Sequence, residues 1–196
     1  MKKRKYQQKR RAEQAQQTRQ SIVEAAMQLH EELGPAKTSI KAIAEQAGVQ
    51  RLTVYRHFAD EAALFNACTS HWLGLHPPPQ PEDWQHHDDP CERTAAALSA
   101  FYRYYRNTEN MWRVSYRDVE EVEALQAPMT AIEIYLDDVS DELVASWQLK
   151  GKDRQRLSLT LRHCLSFTTW YSFKTRNLSD KKIVDLVLSW ISKQEK

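Results

Sequence analysis

The sequence is short of glycine, with 4 residues in 196. A phosphate-cradling loop needs glycines clustered within a few positions, and a G-x-S-x-G nucleophile turn needs two. Neither pattern occurs, so two common routes to nucleotide-dependent and hydrolytic chemistry are excluded. Cysteine is scarcer still. Cys68, Cys91 and Cys164 are odd in number, far apart and without a C-x-x-C pair. That spacing indicates neither a disulfide framework nor a structural zinc site, and it suits a reducing cytoplasm. No run approaches the roughly 18 apolar residues of a membrane span. The basic beginning of the chain lacks the apolar segment that follows it in a secretory signal. We therefore expect a soluble, cytoplasmic protein with no membrane partner.

Valine- and isoleucine-rich runs are also few, whereas Ala, Leu, Glu, Gln, Lys and Arg are abundant. These are good helix formers, so the expected fold class is all-α. The net charge of +2 hides an asymmetry. Residues 1–75 carry 12 Lys and Arg against 7 Asp and Glu, and residues 76–196 carry 16 against 19. A basic front and an acidic rear point to a polyanionic partner for the front alone.

Along the chain, residues 1–20 hold eight basic side chains and one acid, Glu13. With almost nothing apolar to bury, they read as a flexible basic arm, disordered or a frayed helix in isolation, and either a solvated tail or an arm laid along phosphates or into a minor groove. From Thr18 a helix begins whose stripe is Ile22, Ala25, Ala26, Leu29 and Leu33. Gly34-Pro35 ends it. Thr38 or Ser39 can cap a second helix with Ile40, Ile43, Ala44 and Ala47 inside, and Gly48 closes it in a turn. Residues 50–57 form a third helix, and Asp60 can cap a fourth that runs to about 71–75. Five of the seven prolines fall between His76 and Pro90, which reads as a linker. The expected division is thus 1–20 arm, 21–75 first domain, 76–90 linker and 91–196 second domain. In the last, helices are expected at about 91–107, 109–117, 119–148, 153–176 and 179–193, with a bend at Pro128. Asp153 and Ser179 would cap the last two.

Two short helices about a tight turn form a helix-turn-helix, whose second helix presents side chains to base edges. With Val49, Val54 and Phe58 turned inward, Gln50, Arg51, Thr53, Tyr55, Arg56 and His57 remain outward. Arg51 can pair bidentately with guanine and Gln50 with adenine, while Thr53 and Tyr55 offer hydroxyls to phosphates. Lys41, at the start of the preceding helix, is a further phosphate candidate. The bland alternative is a solvated polar face.

The string T-S-I-x-x-I-A-x-x-A-G-V-x-x-x-T-V-Y-x-H-F, from Thr38 to Phe58, resembles the DNA-binding signature of the tetracycline-repressor family. With the first helix the resemblance covers about a quarter of the chain. It implies that Thr53, Tyr55 and their neighbours contact DNA. Two positions depart from the family pattern. Gln50 stands where a small residue often begins the reading helix. Glu61 stands where a lysine often meets a phosphate, and an acid would repel one; the basic arm is expected to compensate.

The resemblance further implies an effector-binding and dimerising region after the linker, with no cofactor and no catalytic residues. The last two helices are expected to build a homodimer. Leu157, Leu161, Cys164 or Leu165, Thr168 and Tyr171 line one stripe, and Ile183, Leu186, Val187, Trp190 and Ile191 the other; both are expected to serve the protomer's own core as well. Aromatic density suggests a pocket for a flat, hydrophobic or aromatic effector. Its candidate lining is Tyr102, Tyr105, Trp112, Tyr116, Trp147, His163, Phe167 and Trp170, His163 being the polar anchor. The whole reads as a repressor released from a palindromic double-stranded DNA operator by a small molecule, the fourth helix acting as connecting rod. A ligand-independent regulator or adaptor is the alternative, and an enzyme or carrier with a merely structural helix-turn-helix the remaining one. His86-His87-Asp88-Asp89, with His76 and Cys91 near, has ligand-type side chains, but its spacing does not converge on one ion, so no metal is expected.

Overall fold

We describe residues 2–191 of a computed structural model, with side chains from Tyr6 onward. Among these residues there are ten α-helices and no strand. In chain order they are α1 (Lys2–Leu33), α2 (Ile40–Gln46), α3 (Arg51–His57), α4 (Glu61–Leu75), α5 (Pro90–Asn107), α6 (Glu109–Asp118), α7 (Glu123–Ser146), α8 (Gly151–Leu165), α9 (Phe167–Lys174) and α10 (Asp180–Ile191). None is long and apolar enough to cross a membrane. The last two residues of the expected 179–193 helix lie outside the described residues.

The chain forms two compact units, one of Met1–Pro77 with Arg113–Pro128, the other of Pro78–Trp112 with Met129–Lys196. This corrects the contiguous division expected from the prolines. Residues 113–128 belong with the front of the chain. The 76–90 stretch is no free linker, because from Pro78 on it is part of the second unit. Trp84 is fully buried there and donates its indole N–H to Glu142 at 2.7 Å, and the Tyr135 hydroxyl donates to the Pro79 carbonyl. Prolines rule out regular helix but do not rule out packing.

In the first unit, α1 packs against α2, α3 and α4. Ile22, Val23, Ala25, Ala26 and Leu29 of α1 meet Ile40, Ile43, Ala44, Val54, Phe58, Leu64 and Cys68 in one core. Leu33, expected in the stripe, is exposed, and His30 is buried instead. The Ser39 hydroxyl caps α2 by accepting from the Ala42 N–H, and Asp60 caps α4 by accepting from Ala63 at 2.7 Å. Gly48 holds the turn between α2 and α3 at φ +66°, where a side chain would be strained. Residues 2–20 continue α1, which is helical from Lys2 rather than from Thr18. A helix already nucleated by packing extends at the gain of one hydrogen bond per residue, which the sequence pattern does not reveal.

In the second unit, α5 is the central rod, touching α8, α9 and α10. Ala97, Leu98, Phe101, Tyr102 and Tyr105 leave at most 1% of their surface exposed. The expected 153–176 helix is in fact two. Ser166, at φ −73° and ψ 140°, separates α8 from α9. No glycine or proline marks the spot. The break frees the Cys164 and Leu165 carbonyls, which accept instead from the buried hydroxyls of Tyr102 (3.0 Å) and Tyr105 (2.7 Å). Asp153 does not cap α8; Lys150 occupies that position without a side-chain bond, while Ser179 accepts from the Lys182 N–H before α10.

Candidate nucleic-acid interface

Val54 and Phe58 fix the orientation of α3. Both are buried at 1% and 4% exposure, and they tie this seven-residue helix to the core under it. Everything on the opposite side therefore faces outward. Gln50, Arg51, Tyr55 and Arg56 are exposed, Thr53 and His57 half-buried, and Lys41 on α2 is exposed beside Glu45. All seven residues expected from the sequence lie in this one helix pair or its turn. Gln50 ends in an extended backbone as the N-cap of α3 but makes no capping bond, which leaves its amide unengaged by the cap.

The two arginines are held by neighbours on their own helix. The Arg51 guanidinium donates to the Tyr55 hydroxyl at 3.2 Å and lies 5.6 Å from the centre of its ring. That hydrogen bond, with the Tyr55 charge and Glu61 adding to it, raises the Arg51 pKa further above its usual range. Arg56 donates to the Thr53 hydroxyl at 3.0 Å. Both links lie at the surface, so they set direction rather than stability. Glu61 sits at the first position of α4, where its charge favours the helix and adds slightly to the raised Arg51 pKa.

One residue of this face escapes the sequence reading. Leu52 is 71% exposed, the largest value among the exposed large hydrophobic residues described. Polarity was the criterion for outward positions, and a leucine does not meet it. Helical position alone would have found it, since Leu52 is two residues, or about 200°, around the helix from buried Val54.

The end of α1 is locked from within the same unit. Arg117 donates to the Leu33 carbonyl at 2.7 Å, one of the acceptors that a helix end leaves unpaired. The buried Asp118 carboxylate accepts from the Ala36 N–H at 3.1 Å and from Arg117. The Arg117 hydrogen bond, reinforced by Ala36, holds the Asp118 carboxyl below its usual range. Gly34 lies between them at φ +94°, and a Cβ there would collide with both side chains. Nearby, burial pushes His30 down to about 4, with only a partial counter-effect from Asp118. Its Nδ1 faces the Cys68 sulfur at 3.5 Å, and burial pushes that thiol up to about 12. A neutral ring and a protonated thiol therefore share the core.

The expected effector lining is only partly gathered. Tyr105 has its ring centre 5.8 Å from Trp112, 5.5 Å from Phe167 and 6.0 Å from Trp170. Phe167 and Trp170 are 5.7 Å apart, and Tyr102 lies one turn before Tyr105 on α5. The other three have different settings. Tyr116 belongs to the first unit. Trp147 donates to the Thr94 hydroxyl, and exposed His163 pairs with the Thr169 hydroxyl at 3.2 Å, which is not the placement of an interior anchor. Among the described residues, no three His, Cys, Asp or Glu side chains are placed to hold a metal ion.

Residues 22–68, the span that carries the helix pair, match the family described as bacterial regulatory proteins, tetR family. The HTH-type transcriptional regulator AcrR of Shigella flexneri is 43% identical over 54 residues, 28% of this chain and 25% of that protein. The match thus spans about a quarter of the length of that relative. Solved structures extend the likeness of fold to nearly the whole chain. A TetR-like transcriptional regulator from Rhodococcus sp. RHA1 has a TM-score of 0.64 at 20% identity, covering 91% of this chain and 97% of that one. NalD, described as the secondary repressor of the MexAB-OprM multidrug efflux pump in Pseudomonas aeruginosa, has a TM-score of 0.59 at 20% identity, covering 92% and 96%.

Proposed function

We propose that the chain is a transcriptional regulator of the tetR kind, the family that its residues 22–68 match, and that it reads duplex DNA through α3. The observation that carries the reading is the outward face of α3. Two arginines, a glutamine and two hydroxyls surmount a helix whose opposite side is buried. Arginine to guanine and glutamine to adenine are the pairings that face offers, with Thr53, Tyr55 and Lys41 left for phosphates.

A single such helix reads only a few base pairs. Two, placed about one DNA turn (~34–36 Å) apart, read a palindrome, so the active form is a homodimer joined through α8–α10. Repression is the favoured sense, as the NalD description has it for that protein. Release comes from a small hydrophobic or aromatic effector taken up among Tyr102, Tyr105, Trp112, Phe167 and Trp170. The chain passes between its units at Pro77–Pro78, within α6 at Trp112–Arg113 and within α7 at Pro128–Met129. Two of these passages are helical. Helices transmit displacement better than a proline-rich loop, so α6 and α7 join α4 as candidate connecting rods.

Selection of bound duplexes from a random-sequence library tests the first part, with enrichment of a two-fold symmetric sequence as the expected result. Arg51→Ala should then cost about 1–3 kcal/mol at the selected site, concentrated at one base pair of each half-site. Aromatic compounds added to the complex test the second. A compound that binds the protein tightly yet leaves DNA affinity unchanged contradicts effector release, because a ligand shifts an equilibrium only by its differential affinity. It would leave a ligand-independent regulator.

A further inference from the structure

We infer that Leu52 reads a thymine 5-methyl group in the DNA major groove. The inference rests on α3 being the DNA-reading helix and adds a specificity element that the polar residues do not supply. Leu52 and Arg56 are four residues apart, so they share the pole of α3 opposite Val54, while Thr53 and Tyr55 flank it. Arg51 and Arg56 on either side of Leu52 are exposed and cationic, the charge that brings this pole against a polyanion. Leu52 is 71% exposed and contributes little to the core.

An apolar side chain in that position has one partner available. The base edges of the major groove offer donors and acceptors on all four bases, and only thymine adds an apolar group, its C5 methyl. Contact between leucine and that methyl removes apolar surface of both from water. Contact with any other base edge would desolvate a donor or acceptor with nothing to replace its hydrogen bond. Leu52 therefore favours T·A over the other pairs at the position it faces and penalises cytosine there, while Arg51 and Gln50 read hydrogen-bonding edges beside it.

The test uses the full chain and the duplex enriched from a random-sequence library. Each thymine is replaced singly by deoxyuridine, which removes the methyl and leaves every hydrogen-bonding group in place. Wild-type affinity should fall about fourfold at one thymine of a half-site, the worth of one buried methyl-sized group, and about sixteenfold when both half-sites are changed. Leu52→Ala should bind the all-thymine duplex more weakly and lose the thymine-to-uracil difference at that position alone. Leu52→Met should retain it. Because the side chain is exposed, neither variant should alter the melting temperature. Uracil tolerated at every position, a difference that persists in Leu52→Ala, or a consensus without thymine in either half-site overturns the assignment of Leu52 while leaving α3 as the reader. Failure to enrich any duplex overturns both.

Discussion

At the scale of the residue, His30 couples burial to acidity. Its folded pKa of about 4 lies below the ordinary histidine value of 6.5, so the fold favours the neutral ring. Between these values the unfolded chain binds a proton that the folded one does not, and stability falls as pH drops. The sum is roughly 3 kcal/mol, fully present above pH 6.5 and lost by about pH 4. Asp118, held below its usual range, loses stability in the same direction at lower pH. The two are separated by His30→Gln. Its deficit relative to the wild type in urea denaturation should be largest near neutrality and shrink as pH falls from 6.5 to 4. A deficit independent of pH would mean that burial does not shift the pKa of the ring between the unfolded and folded chain. Exposed Arg51 and Leu52 are the opposite case, since neither stabilises the protein and both are open to a partner.

At the scale of the element, the turn after α1 and the helical extension before its packed half make separate predictions. Asp118→Ala removes an acceptor from the Ala36 N–H and a partner from Arg117, and should lower stability by about 1–3 kcal/mol. Gly34→Ala should be as damaging, because its Cβ meets Arg117 and Asp118 at a positive φ. Thermal unfolding of the two variants checks both, and an unchanged midpoint would mean that the clasp adds nothing. The helical state of residues 2–20 bears on the basic arm. An α-helix about 10–12 Å wide does not enter a minor groove about 6 Å wide, which leaves an arm laid along phosphates or a solvated extension. Deleting residues 1–11 should weaken DNA binding at every sequence. It should also flatten the dependence of log K on log salt by about 0.9 for each phosphate that the arm neutralises. Unchanged affinity and slope would exclude the arm from the interface.

At the scale of the whole molecule, the stripes on α8 and α10 turn chiefly into the protomer. Leu157, Leu161, Cys164, Leu165, Ile183, Val187 and Ile191 are all buried in a single chain. The faces left for a second copy include Leu159, 67% exposed, and Trp190, 39% exposed. If these meet a partner across a two-fold axis, Leu159→Glu should shift sedimentation toward the monomer without unfolding the chain. It should also weaken binding to a palindromic duplex far more than to a half-site. A stable dimer in that variant would place the interface elsewhere.

What the sequence determined by itself is local. The amphipathic period of α1, the caps at Ser39 and Asp60, the glycine turn at Gly48 and the outward polar residues of α3 follow from spacing and side-chain chemistry within a few positions. Those suffice for an all-α chain with a helix-turn-helix pair, because such a pair is built from neighbours in sequence. The tertiary structure decided what depends on distant partners. Residues 113–128 joined the first unit because Arg117 and Asp118 find unpaired backbone groups at the end of α1. The helix expected over 153–176 broke at Ser166 because Tyr102 and Tyr105 supply donors to the carbonyls set free. The proline-rich stretch packed because Trp84 found a buried place and an acceptor in Glu142. In each case a backbone or indole group, paired only across a long stretch of chain, set the outcome, and no window of neighbouring residues records such a pairing.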